Sequence, residues 1–230
     1  MATPFGVYLT TGNVSGGAPW WALMATGASM FAMMAAGIGA TVGLSQIWPK
    51  TPDYVWTIVQ VAVFLALMRL APLSGTHGAE HQVVHAIERE EALTPSVVRR
   101  MPLVHPRCGT NLIVGVAIFL SLQSIKALEP YGGTMLALLI ALVFTMPLGA
   151  LAQRYITTRR PNEKQLAGAI KAGEELLLRN AESPYTNANP FRRIWSMGLL
   201  QVMAGAYLTL GLLWLLKQLT GAAWLPDIEL

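Results

Sequence analysis

Charge, cysteine and histidine are what this sequence has little of. Only 12% of its 230 residues are charged, 53% are hydrophobic, and mean hydropathy is +0.47. Ordinary soluble domains carry about 25% charged residues. A soluble domain is therefore a poor fit, and a polytopic membrane protein with modest loops is expected. A single cysteine, Cys108, excludes an internal disulfide framework. Met1 to Trp21 carries no charged side chain. A secretory signal needs a basic n-region, so none is expected, and the first apolar stretch should remain as an anchor. The chain shows no internal repeat and no low-complexity tract.

Five long apolar stretches are present, at about 19–48, 54–73, 110–128, 132–153 and 194–216. Each is near or above the roughly 20 residues that cross a bilayer core, and only helices satisfy their own backbone in lipid at that length. The fold class predicted is all-α: a polytopic membrane bundle of about five transmembrane helices. Two loops, 74–109 and 154–193, should contain short amphipathic helices. The domain plan is an uncharged segment 1–18, a membrane core 19–193, and an additional helix and tail 194–230.

Those two loops hold Arg89, Arg99, Arg100 and Arg107, then Arg154, Arg159, Arg160, Lys164, Lys171, Arg179, Arg192 and Arg193. That is twelve of the sixteen basic residues. The positive-inside rule then puts the N-terminus and both loops in the cytoplasm and the C-terminus outside. Basic residues that follow topology in this way argue against nucleic-acid binding. Thr94-Pro95-Ser96 reads as a helix start, and Asn162 to Gln165 as a capping box. The helix that follows should carry an apolar stripe of Leu166, Ile170 and Leu177 with Gly173 between. In the first stretch, Ala35, Gly39 and Gly43 at four-residue spacing predict close helix packing.

All four histidines and the cysteine lie between residues 77 and 108. On a helix, His77 and His81 share a face one turn apart, so both can reach one metal ion. His77-x-x-Glu80-His81 has the order found in inverted zinc peptidases, where the Glu is the general base. His105 and Cys108 offer further donors. Cys108 precedes an apolar stretch, and a helix N-terminus together with Arg107 favours the thiolate. Four ligands, His77, His81, His105 and Cys108, make a closed structural site; three leave a position open for chemistry. The sequence does not choose between them. His85 lies about 12 Å from His77 along a helix axis and is read as solvated or supporting. Glu88 extends the stripe and is read as an alternative ligand or an orienting partner.

His77-Gly78-Ala79-Glu80-His81, Leu93-Thr94, His105-Pro106-Arg107-Cys108-Gly109-Thr110 and Gln153-Arg154-Tyr155-Ile156-Thr157-Thr158 together resemble the YqhQ-like family. This is a domain-of-unknown-function family of bacterial membrane proteins, often described as metal-dependent. The resemblance covers roughly residues 69–178. It implies a bacterial plasma-membrane location and a metal site on His77, His81, His105 and Cys108, with Glu80 and Glu88 also matching. It supplies no substrate. The family usually has Lys where this chain has Gln82, and its glycine-rich N-terminal motif is missing here.

Two functions compete. One is a zinc-dependent hydrolase at the cytoplasmic membrane face, with Glu80 as base and Arg107 stabilising an oxyanion. The other is a non-catalytic accessory or assembly subunit of a larger respiratory or photosynthetic-type complex, with a structural or vestigial metal site. Trp20, Trp21 and Trp224 suit interfacial anchoring or lateral contact in either case. Zinc is the expected cofactor, with other divalent transition metals as alternatives. Haem or chlorophyll is disfavoured, because such sites need only one or two histidines. The lipid bilayer and other membrane subunits are the expected partners.

Overall fold

The structure is a computed structural model that describes residues 1–123, 125–182 and 189–221. Trp224 lies outside the described residues. The chain is mostly helical, but its first residues form an antiparallel sheet of β1 (Ala2–Thr3), β2 (Gly6–Thr10) and β3 (Ser15–Gly17), in that order. The all-α expectation is corrected here. The strands are too short to show a period-two pattern, and their stability comes from packing rather than from propensity. Tyr8 pairs with Gly17, Leu9 with Gly16 and Thr10 with Ser15. Val7, Tyr8 and Leu9 are all buried.

Nine α-helices follow among the described residues. They are α1 (Trp20–Ile47), α2 (Asp53–Leu70), α3 (Pro72–Glu88), α4 (Pro95–Val98), α5 (Gly109–Gln123), α6 (Gly133–Ala152), α7 (Glu163–Glu182), α8 (Pro190–Ser196) and α9 (Leu199–Thr220). A π-helical turn, Gln153–Thr157, extends α6. Among the described residues three helices are long and apolar enough to cross a membrane: α1, α6 with its π turn, and α9. A fourth span exists if α2 and α3 count as one, but they bend by 61°. Pro72 is the cause: it starts α3, and the residue before a proline is pushed out of the helical region, as Ala71 is at φ −59°, ψ 150°. At 15 residues α5 is shorter than a full span. Length and composition thus give three candidate spans, or up to four, where the sequence leads to about five.

The apolar helices pack as α1 against α2 and α9, and α5 against α6. The small-residue stripe foreseen on α1 does not make these contacts. Gly39 and Gly43 face open space, whereas Gly27 abuts the backbone of Val202 and Gly37 that of Gln60. The close contacts fall instead where α1 meets α9, at Gly27, and α2, at Gly37. Outward-facing Leu112, Ile113, Leu142 and Val143 are exposed, as lipid-facing side chains would be.

The sheet, α3, α4 and α7 form one layer. Asn162 and Gln165 cap α7 reciprocally: Gln165 N–H donates to Asn162 Oδ1 (2.8 Å) and Asn162 N–H to Gln165 Oε1 (3.0 Å). Leu166, Ala169, Ile170, Ala172 and Leu176 of α7 pack on Ala79, Val83 and Ala86 of α3, with Val7 and Leu9 of the sheet closing the core. The stripe uses Leu176; Leu177 is 45% exposed. Thr94 starts α4 in extended conformation but makes no side-chain cap. Because 100° separates successive helical residues, the apolar face of α3 leaves His77, His81, His85 and Glu88 on the opposite side.

Gly78 permits a close approach in this layer, since a Cβ there would lie 2.1 Å from the Arg159 carbonyl oxygen. Gly78→Ala is expected to lower stability by about 1–3 kcal/mol. Gly39→Ala should be neutral or slightly stabilising, as helix propensity alone then acts. Thermal unfolding of both variants in detergent checks this; equal midpoints would contradict the packing described.

Candidate metal centre

The site lies between the polar stripe of α3 and the segment 102–109 that crosses it before α5. Each α3 histidine has one ring nitrogen committed to a backbone carbonyl. His77 Nδ1 bonds Thr157 O at 3.0 Å, His81 Nδ1 bonds Leu103 O at 2.6 Å, and His85 Nε2 bonds Val104 O at 2.9 Å. A carbonyl only accepts, so those nitrogens carry a proton, and a neutral ring then keeps its lone pair on the other nitrogen. Burial pulls the His77 pKa down, but Cys108 and Glu80 raise it overall, so His77 gives up its Nε2 proton when it ligates. This is how proteins fix the tautomer of a metal-ligating histidine.

His77, His81 and Cys108 each offer a donor atom, all within 4.8 Å of one another. Cys108 Sγ stands 3.4 Å from His77 Nε2. Two donors on one tetrahedral zinc, with bonds of about 2.0–2.3 Å, lie roughly 3.3–3.6 Å apart. The donor set therefore fits the metal that the sequence implies. The rings of His77 and His81 meet edge to face, with centroids 4.4 Å apart.

The anticipated set of four divides. His105 stays near, its ring centroid 5.7 Å from that of His81, but it belongs to a second group with His85 and Glu88. Its Nε2 is 3.2 Å from Glu88 Oε2, and its centroid is 4.6 Å from that of His85. His105 comes to meet His85 at the far end of the stripe. Arg107 is 74% exposed and ion-paired to the other Glu88 oxygen. Glu80 lies on the flank of α3 that faces the N-terminal strands. Its carboxylate is 2.8 Å from the amino nitrogen of Met1.

Several residues that hold this geometry carried no role in the sequence reading. Gln153 is fully buried; its Oε1 accepts from His105 N–H (2.8 Å) and its Nε2 donates to Asn111 Oδ1 (2.7 Å). Asn111 Nδ2 donates in turn to Pro106 O at 2.7 Å. Gln82 Nε2 donates to both Arg99 O and Met101 O at 3.0 Å, a place where an ammonium would also serve. The available signal was an amide at the edge of an apolar stretch, since polar side chains there are retained for a partner.

Burial pushes the Cys108 thiol up, but hydrogen bonds from His77 and His81 and the charge of His77 outweigh it and bring its pKa down to about 5. Thr110 N–H, at the start of α5, also donates to the sulfur at 3.4 Å. Burial lowers the His105 pKa, and the nearby His85 and His81 add to this against the opposing pull of Glu88. His105 is therefore neutral at pH 7, the form that binds metals.

Residues 24–148 match the model of a family described as a protein of unknown function, DUF1385. The match covers more than half of the chain, and the chain belongs to that family. It takes in both donor groups but neither the N-terminal sheet nor Gln153–Thr158, so it starts and stops earlier than the motif resemblance suggested. No curated protein and no solved structure matches the chain.

In metal-free protein, Cys108 is expected to alkylate as a thiolate with a midpoint near its pKa of about 5, against about 8.5 for a free cysteine. The depressed pKa means the reactive form persists on going from pH 8 to pH 6. The rate of iodoacetamide labelling against pH measures this. A midpoint above 8 is incompatible with the His77 and His81 contacts, and His77→Ala should move the midpoint upward.

Proposed function

We propose that this chain is an integral membrane protein with a zinc centre on His77, His81 and Cys108 at the cytoplasmic membrane face, acting there as a metal-dependent hydrolase. The observation that carries the reading is the division of donors. With His105 turned to Glu88, three protein ligands remain, His77, His81 and Cys108, and three-ligand zinc sites are those that keep an open position. Zinc in such a site supplies Lewis acidity toward a carbonyl or phosphoryl oxygen. The chain's own residues do the rest. Thr157 and Leu103 hold the two imidazoles in the ligating tautomer. Glu80, within one turn of both, is the candidate to take a proton from water, and Arg107 the candidate to hold an anionic oxygen. A lipid headgroup or a membrane-proximal peptide is the substrate class that this location would meet.

One observation favours the second reading, an accessory subunit. The Glu80 carboxylate is held against Met1 and the N-terminal strands, so it serves as an anchor in this conformation. The open face at Gly39 and Gly43 is then available to another membrane subunit. Glu80→Gln separates the two readings. For the hydrolase, zinc content stays at the wild-type level while turnover of lipid and peptide reporters falls by about 100-fold or more. An unchanged rate, or fixed-ratio purification with other subunits that the substitution leaves intact, would support the accessory role.

The proposed topology has five crossings, α1, α2, α5, α6 and α9, with the bacterial inner membrane as the setting suggested by the YqhQ-like motifs. The N-terminal sheet, α3 and α7 share one core, which supports placing residues 1–18 and both basic loops on the same side. Reporter fusions after Arg160 should read cytoplasmic and fusions after Gly221 external. An external reading after Arg160 would reverse the model.

A further inference from the structure

The second donor group is not used by the function proposed above. We infer that His85, Glu88 and His105 form a second divalent-metal site, adjacent to the first, so that the protein carries a two-metal centre. The inference rests on reading His77, His81 and Cys108 as the first site.

The two sets are built by the same device. Each takes donors from the polar stripe of α3 and completes itself from the crossing segment: Cys108 for the first, His105 for the second. Successive carbonyls of that segment, Leu103 and Val104, fix the tautomers of His81 and His85 one turn apart. His85 is left with Nδ1 as its lone-pair nitrogen. A ring nitrogen of His85, a Glu88 oxygen and a His105 nitrogen all lie within 4.8 Å of one another. The 3.2 Å between His105 Nε2 and Glu88 Oε2 is close to the roughly 3.3 Å expected for two donors sharing one ion at bonds of about 2.0 Å. Arg107 occupies the other Glu88 oxygen, which orients the carboxylate without using the atom that faces His105. Four imidazoles thus stand in a row, with ring centroids 4.4, 5.7 and 4.6 Å apart.

Cation entry moves the His105 proton from Nε2 to Nδ1. The 3.2 Å bond that Nδ1 accepts from Arg107 N–H is given up, so the second site should bind more weakly than the first. The donor chemistry differs as well. A thiolate selects zinc-like ions, whereas two imidazoles and a carboxylate accept zinc, manganese or ferrous iron.

Cobalt(II) titration of metal-free, full-length protein in detergent tests this, with elemental analysis of the purified protein alongside. Expected are two equivalents bound in two steps. The first brings a thiolate-to-cobalt charge-transfer band and the second adds only ligand-field absorption. Glu88→Gln and His85→Gln should abolish the second step and keep the charge-transfer band; Cys108→Ser should abolish the band. Wild-type stoichiometry is read without any variant, which covers a variant that fails to fold. A single equivalent with the band, insensitive to Glu88→Gln, overturns the second site and leaves the first. A single equivalent lost equally in both classes of variant means one shared ion, and also overturns it. No binding at all overturns both sites.

Discussion

The carbonyl oxygens of Leu103, Val104 and Thr157 are what the polar half of this molecule depends on. An imidazole with both nitrogens free is indifferent about which one offers its lone pair. A carbonyl on one side removes the choice and also fixes the ring plane. Three such bonds, at 2.6 to 3.0 Å, convert a stripe of histidines into an ordered row of donors. The carbonyls must themselves be held, and buried amides do this. Gln82 fixes the segment at Arg99 and Met101, and Gln153 and Asn111 fix it at His105 and Pro106. Loss of a buried amide would therefore disturb the donors without touching them. Each such hydrogen bond is worth only about 0.5–1.5 kcal/mol net, but leaving a buried partner unpaired costs about 1–3 kcal/mol.

The rest of the frame is apolar. Burial of Ala79, Val83 and Ala86 against α7 fixes the rotation of α3 about its axis, and this rotation turns the histidines toward the crossing segment. The sheet strands add Val7 and Leu9 to the same core. Small residues predominate at the α3–α7 contact, with Gly173 closely approached by the side chains of Val83 and Leu93. Close approach at small residues makes the donor geometry sensitive to added volume, as Gly78 illustrates.

Much of the site was legible in the sequence because the donor types are confined to residues 77–108, and helical spacing is a reliable guide over two turns. The capping box at Asn162 was legible for the same reason: both partners lie within four residues. What was not legible depended on distant contacts. The partition of His105 from Cys108 rests on Gln153, 48 residues away. The sheet rests on α7, about 160 residues from β3, through contacts such as Glu175 on Gly17 N–H. Hydropathy marks five stretches by summing apolarity; the break at Pro72 and the 15-residue length of α5 are features of the backbone that it does not read. Choosing Leu177 rather than Leu176 was a one-residue error of helical phase, which a capping position cannot resolve.

The placement of the donors ties the candidate centre to the membrane helices. His77 and His81 follow directly on α2 across the bend at Ala71, Cys108 immediately precedes α5, and Thr157 ends the π turn of α6. Arg69, near the end of α2, bonds the carbonyl of Thr158, and Arg159 N–H donates to Ser74 O at 2.9 Å, joining the ends of α2 and α6 directly. Gly149 lets α6 approach Asn111 on α5, where a Cβ would meet Oδ1 at 2.2 Å. The ends of three apolar helices are thus coupled to the same few donor atoms. A relative shift of α5 against α6 would move Asn111 against Gln153, and with them the backbone of His105 and Pro106. The geometry of the donors thus depends on the packing of the apolar helices as well as on the donor residues themselves, which a detached soluble fragment carrying the same motif could not reproduce.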